Sequence, residues 1–336
     1  MSHPPEIKDS YTLRVLLCIA IALLLVLLYF VAFARDTAHS GPNRYKYTNL
    51  NVVRGQQVRV LSKAEYTSLK NELESLIRNK KKDGAFLHAS VYLRDLDRGP
   101  TLGIETNADF APASLMKLPL AIAYLRYSED NAELLEKRLL YTDLSAEQIA
   151  HTSTNTSQVP TLKDGQMYRI EELIKAMLID SDNRSFYLLV NYFNQEIPDG
   201  SNELRRVLQE LGLIDPRSPD DEIVTVRNIA GLLRILYNSS YLTHENSERV
   251  LSWLAESTYS RGLRAGLPDE TLVAHKFGSR ILSNGKKQLH DCGIIYFPQN
   301  PYTLCVMTEG DDWEEMQNVI STISRLVHKE FNARRL

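Results

Sequence analysis

The stretch Asp109-Phe-Ala-Pro-Ala-Ser-Leu-Met-Lys-Leu-Pro-Leu-Ala-Ile-Ala-Tyr-Leu125 runs from a polar turn into an apolar helix. It places Ser114 and Lys117 three residues apart, so a helix that begins at Ser114 carries both side chains on one face near its positive end. A serine hydroxyl becomes a good nucleophile when a base takes its proton, and a lysine can do so where burial or a nearby cation favours its neutral form. The stretch therefore predicts a nucleophile and its base at a helix start.

Two later tripeptides supply polar residues suited to the same chemistry. Ser-Asp-Asn at 181–183 follows an amphipathic run, and Lys-Phe-Gly at 276–278 ends a strand pattern. Single matches also occur by chance, as in Ser283-Asn-Gly-Lys286, where Asn-Gly indicates a solvated hairpin turn. The order Ser-x-x-Lys, Ser-Asp-Asn and Lys-x-Gly within one domain-sized region is the specific signal.

With these motifs the sequence resembles the class A β-lactamases and their penicillin-binding relatives over residues 63 to 336. The resemblance implies an α+β fold, with a five-stranded antiparallel sheet flanked by helices, an all-helical lobe beside it, and the active site between the two. The periodic patterns agree with this order. They predict a helix opened by the capping box Ser62-Lys-Ala-Glu65, strands near 86–93 and 102–104, a helical block over 129–212, strands at 271–277, 289–297 and 302–309, and a closing helix from Trp313 to Phe331.

The resemblance also assigns roles to individual residues. Ser114 would be the acylated nucleophile and Lys117 its proton acceptor. Ser181 would pass a proton to the leaving nitrogen, and Asn183 would hydrogen-bond Lys117 and the substrate. Lys276 would supply positive charge near Ser181 and the substrate carboxylate.

The strand that carries Lys-x-Gly should also help to bind the substrate. Backbone N–H groups of Ser114 and Ser279 would form the oxyanion hole beside Gly278. Family members usually carry Thr or Ser where this chain has Phe277, and that hydroxyl binds the substrate carboxylate. Recognition of the carboxylate must then fall to Ser279, Arg280 or a nearby group.

A second departure concerns the omega loop. Class A β-lactamases bear a Glu-x-x-Leu-Asn segment there, and its Glu activates the water that hydrolyses the acyl-enzyme. The corresponding stretch, 213–224, is short and lacks that motif. Its acidic residues suit a solvated helix entry better than the role of that Glu: Asp220, Asp221 and Glu222.

The function expected from the resemblance is that of a membrane-anchored serine hydrolase. It should form an acyl-enzyme with β-lactams or D-alanyl-D-alanine peptides of the peptidoglycan type, and deacylation should be slow. The alternative is a pseudoenzyme that keeps the pocket as a binding module in the cell envelope. A serine amidase or glutaminase on a related fold fits less well, because that family differs at the Ser-Asp-Asn position.

Composition limits the other classes of function. The 336 residues, with a net charge of −3, suit one large domain plus an appendage and argue against a nucleic-acid partner. Three cysteines and scattered histidines have no metal-ligand spacing, so neither a metal nor a cofactor is expected. Cys292 and Cys305 fall in neighbouring strand patterns, and we expect free core cysteines there, although a disulfide is conceivable.

The appendage is an apolar run of twenty residues, Val15 to Ala34, long enough to cross a bilayer as a helix. A cleavable signal peptide is the competing interpretation, since Ala32-Phe-Ala34 matches a small-x-small cleavage site. The predicted organisation is a cytoplasmic stub at 1–14, an anchor at 15–34, a linker at 35–62 and the hydrolase domain at 63–336. The expected location is the plasma (inner) membrane, with a single span and an extracytoplasmic catalytic domain.

Overall fold

The computed structural model describes residues 14, 16–17, 20–21, 45–49, 66–84, 86–97, 99–143, 162–214 and 223–333. The chain divides into two compact units, Met1–Lys46 and Tyr47–Leu336. Within the described ranges, no helix has the length and apolar character needed to cross a membrane. The predicted anchor, Val15 to Ala34, lies largely outside the described residues, and so does the predicted capping box at 62–65.

The second unit follows the predicted order of two strands, a mainly helical block, three strands and a closing helix. Its elements are α1 (Thr67–Lys82), β1 (His88–Asp95), β2 (Thr101–Ile104), a 3₁₀ turn (Ala113–Met116), α2 (Lys117–Ser128), a 3₁₀ turn (Leu134–Glu136), β3 (Arg138–Tyr141), β4 (Gln166–Arg169), α3 (Ile170–Ile179), α4 (Asn183–Glu196), α5 (Gly200–Glu210), α6 (Val226–Tyr237), α7 (His244–Ala255), a 3₁₀ turn (Arg264–Gly266), β5 (Val273–Ile281), β6 (Lys287–Ile295), β7 (Tyr302–Gly310) and α8 (Trp313–Ala333). The β3–β4 pair was not predicted, because strands of four residues are too short for an alternating pattern to stand out.

Five strands form one antiparallel sheet, as the resemblance implies, and their order in it is β2-β1-β7-β6-β5. Side chains alternate between its two faces. Val273 of β5 lies in a hydrophobic core shared with α1 and α8, whereas its neighbour Ala274 lies in a second core shared with the helical lobe. Both faces of the sheet are therefore covered, and β5 is left at one edge.

Helix α2 runs through the middle of the helical lobe. Ten of its 12 residues are buried, and a helix that is apolar all round belongs in a core. The prediction of an α-helix from Ser114 is wrong in detail, since the first turn is 3₁₀ and the α-helix begins at Lys117. Pro119 lacks the N–H that would bond to the Leu115 carbonyl in an α-helix, which favours the tighter turn before it.

Cys292 and Cys305 are joined by a disulfide, so the expectation of free core cysteines is wrong. The two residues lie directly opposite each other in the register of β6 and β7. Sequence patterns placed them in neighbouring strands but could not set that register. Cys292 also lies opposite Lys276 of β5, so the disulfide lies on the strand next to that lysine.

Residues 47 to 49 fall within the predicted linker and pack against the helical lobe. The backbone N–H groups of Tyr47 and Thr48 donate to the Glu248 carboxylate of α7 at 2.8 and 2.9 Å. The N–H of Asn49 donates to the carbonyl of Tyr237 in α6 at 2.7 Å. This short segment is thus attached to the helical lobe of the second unit, ahead of α1.

Candidate active site

Ser114 and Lys117 lie at the junction between the 3₁₀ turn and α2. Ser114 is partly exposed, whereas Lys117 is only 2% exposed. Ala113, just before the serine, has a φ of +49°, a left-handed conformation that costs free energy for a residue with a side chain. The turn therefore holds the serine at the surface in a strained backbone and directs the lysine inward.

The side chain of Lys117 is bound by the Ser-Asp-Asn loop. Its Nζ lies 2.5 Å from the Ser181 carbonyl oxygen, 3.1 Å from Ser181 Oγ and 2.6 Å from Asn183 Oδ1. Burial, and then the nearby charge of Lys276, hold the pKa of Lys117 well below its ordinary value. Among the described residues no hydrogen bond joins Lys117 to Ser114. The structure thus brings two of the predicted site residues, Ser181 and Asn183, together around Lys117.

The Ser-Asp-Asn loop is held by Asp182. Its carboxylate caps α4 by accepting hydrogen bonds from Ser185 N at 2.8 Å and Ser185 Oγ at 2.6 Å. The hydroxyl of Tyr141, from β3, also donates to it at 3.1 Å. Ser181 itself has a φ of +57°. Asp182 therefore fixes a strained loop, and Tyr141 is a supporting residue that sequence reasoning missed.

Lys276 lies on β5 and is 1% exposed. Its Nζ donates to the Phe277 carbonyl at 3.2 Å and lies 4.5 Å from the centroid of the Phe277 ring. Burial lowers the pKa of Lys276 to about 7, although Asp291 and Asp180 oppose the shift. An amine with this pKa changes charge near neutral pH.

Phe277 does not present its ring to the pocket. It is 3% exposed and stacks on Tyr259 with 4.0 Å between ring centroids. The position where the resemblance implies a hydroxyl is therefore filled by a buried aromatic pair. Nothing on this side chain can hydrogen-bond a substrate carboxylate.

The edge strand β5 faces the turn that carries Ser114. A Cβ atom built on Gly278 would lie 3.2 Å from the Pro112 carbonyl oxygen and 3.3 Å from Leu115 N, so a side chain here would push the strand and the turn apart by a few tenths of an ångström. Hydrogen bonds at both ends of the β5–β6 ladder, Tyr296 N to Leu272 O and Leu282 N to Lys286 O, assign the even-numbered residues of β5 to the pairing with β6.

The odd-numbered residues of β5 then direct their backbone groups away from β6, toward the open edge. The N–H of Ser279 is one of these, and Ser279 follows Gly278, which lies against the Ser114 turn. Arg280 follows it, partly exposed. The predicted oxyanion-hole residues are thus on facing elements.

Two residues of β6 also reach the Ser114 turn and were not predicted. Gln288 Oε1 accepts a hydrogen bond from Ala111 N at 2.9 Å, and His290 Nε2 lies 3.0 Å from the Ala111 carbonyl oxygen. The signal in the sequence is the alternation of these polar residues with Leu289, which puts both on one face of a buried strand.

Two further features are the groups that could bind a metal and the stretch that corresponds to the omega loop. Among the described residues, no group of three or more His, Cys, Asp or Glu side chains is placed to hold a metal ion. Most of the 213–224 stretch, with Asp220, Asp221 and Glu222, lies outside the described residues. Its last residue, Val224, exchanges backbone hydrogen bonds with Phe110, which ties the end of that stretch to the segment that leads into Ser114.

Known proteins are similar to this chain in sequence and in fold. A family model described as the beta-lactamase enzyme family matches residues 68–331. A beta-lactamase of Streptomyces albus G is 28% identical over 229 residues, which cover 65% of this chain and 71% of that protein. Beta-lactamase OXY-2 of Klebsiella oxytoca is 29% identical over 232 residues, or 65% of this chain and 76% of that protein. The solved structure of PBP-A matches with a TM-score of 0.65 at 21% identity, over 82% of this chain and 100% of that chain, which shows a shared fold.

Proposed function

The chain belongs to the beta-lactamase enzyme family as a serine hydrolase of the class A type, and we propose that it forms a covalent acyl-enzyme through Ser114. β-Lactams or D-alanyl-D-alanine peptides are the proposed substrates. The observation that carries the proposal is the environment of Lys117, a buried lysine held by Ser181 and Asn183 and depressed in pKa by burial and by Lys276. Such a lysine can take the proton of a serine hydroxyl near neutral pH. A mutant of PBP-A has been solved as an acyl-enzyme complex with penicillin G, which supports the same chemistry here.

Nζ of Lys117 donates to the Ser181 carbonyl, to Ser181 Oγ at 3.1 Å and to Asn183 Oδ1. Burial and Lys276 favour the neutral form of this amine, whose lone pair can accept a proton. When a substrate binds, Lys117 exchanges one of these contacts for Ser114 and takes its proton. Ser181 then relays a proton to the leaving nitrogen.

The developing oxyanion would be stabilised by the backbone N–H groups of Ser114 and Ser279. One such donor can contribute about 2.7–4 kcal/mol to the transition state. Gly278 allows the two elements to approach closely enough for both donors to act on one oxygen. Without a hydroxyl at Phe277, the substrate carboxylate would be bound by Ser279, Arg280 or a neighbouring group.

Deacylation is proposed to be slow. It needs a water molecule activated by a base, and the 213–224 stretch is too short to supply the usual omega-loop Glu. Removing a general base typically slows a step by roughly 10²–10⁴-fold. The enzyme would then release its acyl group slowly after a fast first turnover.

Intact-protein mass spectrometry after mixing with a penicillin tests this proposal. We expect an adduct on Ser114 that lasts minutes or longer, and a burst of product followed by a slow steady state. Ser114→Ala should abolish the adduct, and Lys117→Ala should slow its formation by roughly 10²–10⁴-fold. The matched control is Ser283→Ala, in the chance Ser-x-x-Lys motif, which should label like the wild-type protein.

The other outcomes separate the alternatives. Rapid turnover without an adduct would refute slow deacylation and turn attention to Asp220, Asp221 and Glu222. Neither adduct nor turnover would favour the pseudoenzyme, a binding module of the cell envelope. Labelling that survives Ser114→Ala would show that the nucleophile has been assigned wrongly.

We also propose that Val15 to Ala34 anchors the protein in the plasma (inner) membrane, with the catalytic domain outside. The length of the apolar run supports the anchor, and the Cys292–Cys305 disulfide suits an oxidising compartment. Protease added to intact spheroplasts should therefore remove the catalytic domain. Full protection would refute the orientation, and a mature N-terminus at Arg35 would refute the anchor.

A further inference from the structure

The segment that leads into Ser114 is held by side chains rather than by a strand partner at Ala111. Ala111 lies three residues before the serine, and both of its backbone polar groups are bound by residues of β6. Its N–H donates to Gln288 Oε1 at 2.9 Å, and its carbonyl oxygen accepts from His290 Nε2 at 3.0 Å. These two contacts connect the catalytic turn to the interior of the sheet.

The two side chains rise from one face of β6, and Phe110, the residue before Ala111, packs against His290 on that face. His290 lies directly opposite Gly278 in the β5–β6 register. Directly opposite residues share one face of the sheet, so the imidazole lies on the face where Gly278 meets the Ser114 turn. The same glycine lets the Pro112 carbonyl and the Leu115 N–H approach the strand.

Gln288 is fixed in one orientation. Its Nε2 donates to Glu309 Oε2 of β7 at 2.7 Å, so its Oε1 must face the Ala111 N–H. A flipped amide would set two acceptors against each other at Glu309 and two donors at Ala111. The amide therefore relays the position of β7 to the turn.

His290 is fixed in one protonation state. Its side chain is completely buried and packs edge-to-face on Phe110 with 5.2 Å between ring centroids. Burial lowers the pKa of His290 to about 4, against the carbonyls of Ala111 and Leu289. The ring is thus neutral at ordinary pH, and Nε2 must carry the proton because a carbonyl can only accept.

His290 should lower the stability of the fold compared with an apolar residue at this position. Its Nδ1 is buried without a hydrogen-bond partner of normal geometry among the described residues, and an unsatisfied buried polar atom destabilises a fold. An apolar side chain would fill the same space without that cost. Local rules of this kind are usually broken where function requires it.

We propose that His290 and Gln288 are positioning residues, which hold the Ser114 turn so that the Ser114 and Ser279 N–H groups point at one oxyanion. The inference rests on the acyl-serine function proposed above. Loss of either contact lets Ala111 move away from the strand, and displacement of reacting groups by about 1 Å can cost 10²-fold in rate. Substrate affinity depends on the strand itself and should change little.

The test compares His290→Leu with His290→Gln. Leu removes the donor, whereas the amide of Gln can restore an N–H near the position of Nε2. Stopped-flow acylation by a chromogenic β-lactam should show that His290→Leu is about 10–100-fold slower at saturating substrate with little change in the binding constant. His290→Gln should recover to within about 3-fold of wild type. His328→Leu is the matched control, since its Nδ1 is also buried and unpartnered, and it should acylate normally.

The outcomes are decisive in each case. Equal slowing in the Leu and Gln variants, or normal acylation in the Leu variant, would overturn the proposal. If His290→Leu fails to give a cooperative thermal transition, Gln288→Leu removes the other contact and should show the same loss of rate without loss of binding. A wild-type protein that is never acylated would instead refute the proposed function, so the two failures are distinguishable.

Discussion

Replacing Lys276 by Met should make the protein more stable but less active at pH 6. Burial lowers the pKa of this lysine from 10.5 to about 7. Between those values the unfolded chain binds a proton that the folded chain does not, so the stability of the wild-type protein rises with pH from 7 upward. At about 1.4 kcal/mol for each pH unit, the rise is about 3 kcal/mol between pH 7 and 9. Met has a similar length and no charge, and its variant lacks this rise.

The activity should change in the opposite sense. Below pH 7, Lys276 is an ammonium that helps to keep Lys117 deprotonated, so its removal should slow acylation by roughly 10–100-fold at pH 6. As the pH rises through 7, Lys276 of the wild-type protein loses its charge and with it this effect on Lys117. The difference in acylation rate between the wild-type protein and Lys276→Met should therefore become smaller.

Urea unfolding and penicillin acylation, each measured at pH 6 and 9, check both expectations. Lys175→Met replaces an exposed lysine of α3 and should show neither effect. If the stability difference between the wild-type protein and Lys276→Met is the same at both pH values, Lys276 does not titrate near 7 and the reasoning is wrong.

Two further substitutions, each with a control, test the geometry of the site. Gly278→Ala would bring Cβ to 3.2 Å from Leu115 Cγ and 3.3 Å from Leu115 N, so we expect urea unfolding to show a loss of about 1–3 kcal/mol in stability and acylation to be at least roughly 10-fold slower. The control is Gly231→Ala in α6, which has no neighbour within 4 Å and should stabilise the protein by up to about 1 kcal/mol. Asp182→Ala removes the cap of α4 and should cost about 1–2 kcal/mol, whereas Ser185→Ala keeps the backbone cap and should cost less in the same unfolding assay.

Long patterns and local motifs could be predicted from the sequence. Strands β5, β6 and β7 have nine residues each, enough for their apolar character to be evident, and the resemblance implied that they share one five-stranded antiparallel sheet. Ser-Asp-Asn falls between α3 and α4 as predicted, whereas Lys-Phe-Gly, predicted to end its strand, lies in the middle of β5. Lys117, Ser181 and Asn183 do meet around one Nζ atom.

Features that depend on register or on distant contacts could not be predicted. The hydrogen bond of His290 to Ala111 joins residues 179 positions apart, and a single histidine in a strand has no spacing that indicates such a partner. The disulfide depends on the pairing of β6 with β7, which hydrophobic patterns leave open. The 3₁₀ start of the Ser114 turn follows from backbone constraints that residue spacing does not express.

The cross-strand disulfide depends on the register in which β6 pairs with β7. A slip of one residue between β6 and β7 would turn one thiol to the opposite face, and a slip of two would place Cys292 beside Thr303 or Met307. Only the native alignment lets the two sulfur atoms meet. Oxidation during folding therefore selects the native pairing, and misaligned chains keep Cys292 and Cys305 as thiols that a thiol reagent can label. Once formed, the disulfide prevents β6, the strand that pairs with β5 at Lys276, from sliding along β7.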